Sequence, residues 1–323
     1  METVSGPGNW RLSVRRERDG VVILGAVTCD RRAVLPETLF GLPVTALGHH
    51  ALTPGRPWPQ GEEVLVTWGP QTGDWDNRKL EDLVLPSSLS RVGDYALLNC
   101  GTLKALRLHG GPVFWGGAVL MNCRSLDTLH LTRRGPDQGE TLAWFAGELS
   151  RELDVTVEAP GGTARLLFPE YTELYEENCP AHHFDYFISG AGYPYHHCFH
   201  QKKLNFKDYD ALWPGFLAME HNGETALRLA WYRLRWPMEL GAEAEAAYLD
   251  YLRSRLSEAL VWLAGQGDSA GLRFLLDRVE PDRAALSAAC AQARAREAPA
   301  LVALLLEEQH RRFPQKSADR FLL

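Results

Sequence analysis

Leu83-Val84-Leu85-Pro86 and Arg91-Val92-Gly93-Asp94-Tyr95-Ala96-Leu97-Leu98-Asn99-Cys100, then Leu106-Arg107-Leu108 and Phe114-Trp115-Gly116-Gly117-Ala118-Val119-Leu120-Met121-Asn122-Cys123, then Leu129-His130-Leu131, form one unit written twice and begun a third time. Leu83 recurs as Leu106 and Leu129, Gly93 as Gly116, and Cys100 as Cys123, each 23 residues on. Self-similarity at a fixed period of this length predicts stacked units, none of which can bury its apolar face alone. In each short strand the outer residues are apolar and the middle one varies: Val84, Arg107, His130. Alternation turns Leu83 and Leu85 inward and puts the middle residue on the open face. Gly93 and Gly116 read as the sites of a tight bend. Tyr95 to Leu98 and Val119 to Met121 read as short helical or irregular returns. Asn99 and Asn122 are expected to hydrogen-bond the loop backbone, with Cys100 and Cys123 as small buried apolar residues beside them.

The motif (apolar-apolar-Pro, a gap, apolar-Gly, a small apolar segment, Asn-Cys, Leu) resembles the BspA-type leucine-rich repeats of bacterial proteins. The resemblance runs from Val21 to Leu131 and extends toward Val157. It implies a leucine-rich-repeat solenoid. Relatives of that type at cell surfaces are linked to adhesion, which is the expectation if a leader was removed from this chain.

Upstream, Trp10 and Leu12 are expected to pair onto a first strand at Val21-Val22-Ile23-Leu24, and that strand to form a hairpin with Ala33-Val34-Leu35-Pro36 around Asp30-Arg31. Gly41 to Gly48 followed by Ala51-Leu52 is similar to an opening unit that lacks Asn-Cys, as expected of a cap. Residues 53–79 interrupt the period with several Pro and Gly, a strand at Val64-Leu65-Val66, and Trp58, Trp68 and Trp75. They read as a long loop packed on the flank by its own aromatics, or as a ligand-contact loop on the binding face.

Beyond Leu131, Thr132 to Gly139 reads as a polar turn, Leu142 to Leu149 as a last helical return and Val155-Thr156-Val157 as a last strand, with Ala159-Pro160-Gly161-Gly162 a boundary. Thirteen aromatic residues lie between Phe168 and Phe216, too many for a disordered linker, so this stretch is read as an ordered junction. From Thr225 the pattern turns helical: Ala242 to Leu263 as one helix, a break at Gly265-Gln266-Gly267 with Asp268 as N-cap, then Leu272 to Val279, Arg283 to Arg296 and Pro299 to Phe313. Leu275-Leu276 and Leu304-Leu305, 29 residues apart, together with Gly223-Glu224-Thr225-Ala226-Leu227, resemble degenerate ankyrin-like helix pairs.

The fold class read from these patterns is α+β: a leucine-rich-repeat solenoid with an N-terminal cap over 1–160, an aromatic-rich junction over 161–222 and an all-α helical array over 223–323. A net charge of −7 with no lysine- or arginine-rich block speaks against a nucleic-acid surface. The first twenty residues hold no apolar signal segment, and no stretch of 18 apolar residues appears, so the chain reads as cytoplasmic with no membrane partner. Six scattered cysteines read as reduced thiols.

One cluster has metal-ligand donor types: Cys179, His182, His183, His196, His197, Cys198 and His200. Cys179, His182, Cys198 and His200 are the candidate zinc ligands, set against interface histidines and buried thiols. A Cys198 or Cys179 nucleophile with Asp185 lacks any oxyanion-hole signal. No phosphate loop, His-Glu-x-x-His, Gly-x-Ser-x-Gly or calcium loop occurs. The expectation is therefore a non-enzymatic protein-interaction module with no cofactor. Its partner, a protein, is expected to meet Arg107 and His130 on the open sheet face, with Trp68 and Trp75 beside them.

Overall fold

The computed structural model describes residues 2–71, 73–133, 140–178 and 183–314. It is mixed α/β and divides into two compact units, Met1–His221 and Asn222–Leu323. The polar turn expected before Gly139 lies for the most part outside the described residues.

In the first unit the chain alternates between two sheets. Arg32–Val34, Asp82–Val84, Ala105–His109 and Thr128–Thr132 join a six-stranded sheet, while Leu42–Leu47, Arg91–Val92 and Phe114–Trp115 join an eight-stranded one. Consecutive windings pair parallel, and the 23-residue period becomes the register: Leu83 lies opposite Leu106 and Leu106 opposite Leu129, while Val92 lies opposite Trp115. Leu83, Leu106, Leu129 and Val155 form one fully buried column and Leu80, Leu103 and Leu126 another. At roughly 1.5–3 kcal/mol for each fully buried leucine, these columns are the main stabilising term of the unit.

The glycines serve a purpose other than bending. Neither Gly93 nor Gly116 has positive φ. A Cβ on Gly93 would lie 2.7 Å from the Gly48 carbonyl carbon and from the His49 nitrogen, and one on Gly116 would lie 2.5 Å from the Asp94 nitrogen. The windings touch backbone to backbone at Gly48, Gly93 and Gly116. The left-handed turn comes two residues later, at His50, Tyr95 and Ala118, with φ of 55°, 56° and 52°. Asn99 and Asn122 are also left-handed (φ 62° and 63°), a conformation asparagine tolerates better than most residues. Their side chains hydrogen-bond each other, Asn122 Nδ2 donating to Asn99 Oδ1 at 2.8 Å, rather than the loop backbone alone.

Two upstream expectations hold, the pairing of Trp10 and Leu12 onto the first strand and the strand at Val64-Leu65-Val66, and others change. Gly20–Thr28 forms its hairpin with Trp10–Glu17, not with residues 33–36. Arg32–Val34 crosses to the other sheet beside Asp82–Val84, because Ala33 and Leu35 share its buried columns. Residues 53–79 are not merely a loop packed by its own aromatics. Glu62–Thr67 is a strand between Glu2–Ser5 and Trp10–Glu17, while Trp58 and Trp68 are 44% and 64% exposed. Asn77, 2% exposed, ties the end of this segment down: its Nδ2 donates to Ala26 O and Leu52 O, and its Oδ1 accepts from Thr28 N.

Downstream, the helix Glu140–Glu148 sets Trp144 in a stack on Trp115, 4.5 Å between centroids, over the terminal strand of the eight-stranded sheet. Leu153–Ala159 extends the six-stranded sheet in parallel, and Pro160-Gly161 turns into an antiparallel strand, Gly162–Phe168. Both edges of that sheet end on an aromatic polar group. Trp10 Nε1 donates to Val34 O at 2.8 Å on one edge. On the other, the Tyr209 hydroxyl accepts from Leu167 N at 3.0 Å and donates to Leu167 O at 2.6 Å. Phe168, Tyr171, Tyr195, Tyr209 and Phe216 pack here as a buried aromatic cluster of the first unit.

The second unit is helical over its described residues. Asn222, Asp268 and Asp282 cap helices Gly223–Arg235, Ser269–Leu276 and Arg283–Ala295 by accepting from the nitrogens of Glu224, Gly271 and Ala285. The single helix expected over Ala242 to Leu263 is two, Ala242–Ser254 and Leu256–Gln266, broken at Arg255. The first segment packs on Gly223–Arg235 and the second on Arg283–Ala295, so serving two neighbours overrides an uninterrupted apolar period.

Gly93→Ala is expected to lower unfolding stability by about 1–3 kcal/mol in urea titration, as an overpacked methyl must push two windings apart. Gly101→Ala, whose new Cβ would meet only Asn122 O at 3.7 Å, should stay within about 0.5 kcal/mol.

Candidate functional site

The outer face of the six-stranded sheet is built by the residues that alternate with the leucine columns. In cross-strand order its central row is Val84, Arg107, His130, Thr156 and Arg165. The next row places Asp82, Ala105, Thr128 and Asp154 side by side. Strand pairing thus sets two acids diagonally to two arginines. Arg107 holds Asp82 through Nε and Nη2 at 3.2 and 3.1 Å. Arg165 holds Asp154 through Nε and Nη2 at 3.0 and 2.8 Å. The second pair is the better shielded, with Asp154 buried.

His130 stands between the two ion pairs, directly opposite Arg107, and is half-buried. Burial pushes its pKa below the ordinary histidine value, and the Arg107 charge adds to this; Asp82 and Asp154 pull the other way without reversing it. At neutral pH the face therefore has, between its two ion pairs, a neutral imidazole with one donor and one acceptor to offer. Acidification places a cation at its centre.

Trp68 and Trp75 belong to the surroundings of the other sheet. Trp68 N donates to Asn9 Oδ1 at 2.8 Å, and Arg11 of the strand Trp10–Glu17 lies 5.6 Å over the Trp75 ring. Trp68 directly follows the strand Glu62–Thr67 of that sheet.

Of the metal candidates, Cys179 and His182 lie outside the described residues. Cys198 donates its thiol to Tyr195 O at 3.0 Å, and burial pushes that thiol up to about 12, far from the thiolate that a nucleophile requires. His200 pairs with Asp208 at 2.9 Å. His196 is buried, with Nδ1 and Nε2 2.8 and 2.9 Å from Ala146 O and Pro169 O, and His197 stacks on Tyr193. No group of three or more metal-binding side chains occurs among the described residues. None of those residues forms a helix long and apolar enough to cross a membrane.

Asp82, Asp154 and Arg165 were not read as site residues from sequence. For Asp82 a signal existed, since it immediately precedes the inward Leu83 of the repeat. Asp154 and Arg165 lie past the regular period, where register is decided by the sheet. Comparison with family models, curated proteins and solved structures produced no match.

An NMR titration of His130 should give a midpoint below the ordinary value of about 6.5. Arg107→Gln should move it upward, by removing a cation and leaving Asp82 to attract the imidazolium; an unmoved or lowered midpoint contradicts this electrostatic account. With the folded pKa below the unfolded one, His130 subtracts stability as pH falls through about 6.5.

Proposed function

We propose that this chain is a non-enzymatic protein-interaction module of the leucine-rich-repeat type. In this reading residues 1–160 are a BspA-like solenoid, and residues 223–323 are an array of ankyrin-like helix pairs. The partner is a protein, met on the outer face of the six-stranded sheet. The observation that carries the reading is His130 between two bidentate Arg–Asp pairs, Arg107–Asp82 and Arg165–Asp154, held on one sheet over buried leucine columns. Such a face is rigid, so little side-chain and backbone freedom remains to be lost on binding. Arg107 and Arg165 are each already paired with an aspartate, and selectivity comes from matching the pattern of cation, imidazole and carboxylate. Repeat stacks of both kinds present extended surfaces suited to this use.

The test is capture from native lysate with the tagged full-length chain, compared with Arg107→Ala/His130→Ala. A stoichiometric protein held by the parent chain should fall at least about tenfold in the double variant. The melting temperature should change little, because exposed ion pairs contribute only about 0–1 kcal/mol. Retention of the same protein at full yield by a folded double variant would remove this face from the reading.

A further inference from the structure

A second surface stands apart from the face just described. Thr172–Asn178 and His183–Ser189 form a two-stranded antiparallel ribbon that pairs with no other strand among the described residues. Tyr175 lies opposite Tyr186 with ring centroids 4.7 Å apart, yet these side chains are 72% and 45% exposed. Ile188 joins them on that face at 40%. On the other face Leu174 lies opposite Phe187, each 50% exposed. Large apolar side chains thus meet water on both faces of one short ribbon. Isolated two-stranded ribbons are marginal in water, and both outer edges here keep unused backbone donors and acceptors.

The charge on the ribbon selects among occupants. Glu170, Glu173, Glu176, Glu177 and Asp185 lie between Arg165 and Lys202, with no lysine or arginine in that interval. Glu176 and Asp185 are directly opposed in the register. Exposed edges are commonly guarded by charge, and like charges brought opposite each other repel. Two copies of this ribbon would therefore resist pairing, and an anionic lipid surface would repel it. A cationic strand meets no such barrier.

We propose that this ribbon receives an extended segment of a partner protein, alternating Lys or Arg with apolar residues, as an added strand. Main-chain hydrogen bonds at a ribbon edge would supply the docking. The apolar residues of the segment would cover Tyr175, Tyr186 and Ile188, and its cations, on the opposite face of the added strand, would meet the carboxylate of Glu176. Adding a strand in this way is an established mode of peptide recognition.

The probe is a short, end-capped, fluorescent peptide alternating lysine and valine, followed by anisotropy with the full-length chain at moderate salt. It is expected to bind at least about tenfold more tightly than a peptide of the same composition with its lysines and valines in separate blocks. A version N-methylated at alternate residues, which cannot complete the ladder, should lose binding likewise. Tyr175→Ser/Tyr186→Ser and Glu173→Gln/Glu176→Gln should each weaken it by a similar factor. The glutamine pair keeps the ribbon's apolar residues, so it tests the proposal even where the serine pair unravels the ribbon. Arg107→Ala/His130→Ala should leave this binding unchanged, which separates it from the sheet-face reading. Equal binding of the block peptide, indifference to the glutamine pair, preferential binding to phosphatidylserine vesicles, or self-association abolished by Tyr175→Ser would each overturn it.

Discussion

Backbone meets backbone where Gly48, Gly93 and Gly116 lie one above the next, and the rest of the first unit follows from that approach. A methyl group on Gly93 or Gly116 would force the windings apart. With none present, the short strands on either side come into parallel register, and equivalent leucines fall into columns with 0% exposure. The same approach makes the chain turn through a left-handed residue in every winding, at His50, Tyr95 and Ala118. None of these is glycine. The strain of a positive φ on a residue with a Cβ is offset by the burial that the stacking allows.

A stack of this kind is open at its ends and edges unless something covers them. The upstream cover is a hairpin, Trp10–Glu17 with Gly20–Thr28, strengthened by a strand from the insertion and by Glu2–Ser5. The downstream cover is aromatic: Trp144 on Trp115, then an antiparallel strand, then the Tyr209 hydroxyl bonded to both polar groups of Leu167. One hydroxyl here satisfies a donor and an acceptor that a further strand would otherwise have to meet. The density of aromatic residues after Phe168 has this physical use. The ribbon from Thr172 to Ser189 is the part of the region left without such cover.

The outer face of the six-stranded sheet combines a fixed backbone with long side chains already committed to each other. Both arginines are bidentate, so their guanidinium planes are oriented before any partner arrives. His130 is the variable element, because burial and Arg107 keep it neutral until the solution becomes acidic. The thiol at Cys198 shows the opposite use of burial: it is held protonated and bonded to a carbonyl, as a packing group.

The 23-residue recurrence of Leu83, Gly93 and Cys100 was enough to place the inward columns, the outward positions of Arg107 and His130, and the Asp268 cap followed from local chemistry alone. These depend on periodicity and on neighbours a few residues away, which a sequence displays directly. The reason for the glycines was not legible, because the atom that excludes a Cβ belongs to the preceding winding, 45 residues back for Gly93. Nor was the crossing of Arg32–Val34 to the other sheet, since Ala33 and Leu35 have the same apolar character in either sheet. Trp68 is set beside Asn9 by a strand pairing that spans more than fifty residues. Asp82, Asp154 and Arg165 reached the site through diagonal contacts that exist only once register is set. The sequence by itself determined the inward residues of the repeat and their period. Tertiary structure alone decided which polar residues meet and which apolar ones stay exposed, because those depend on pairings between segments that carry no mark of each other.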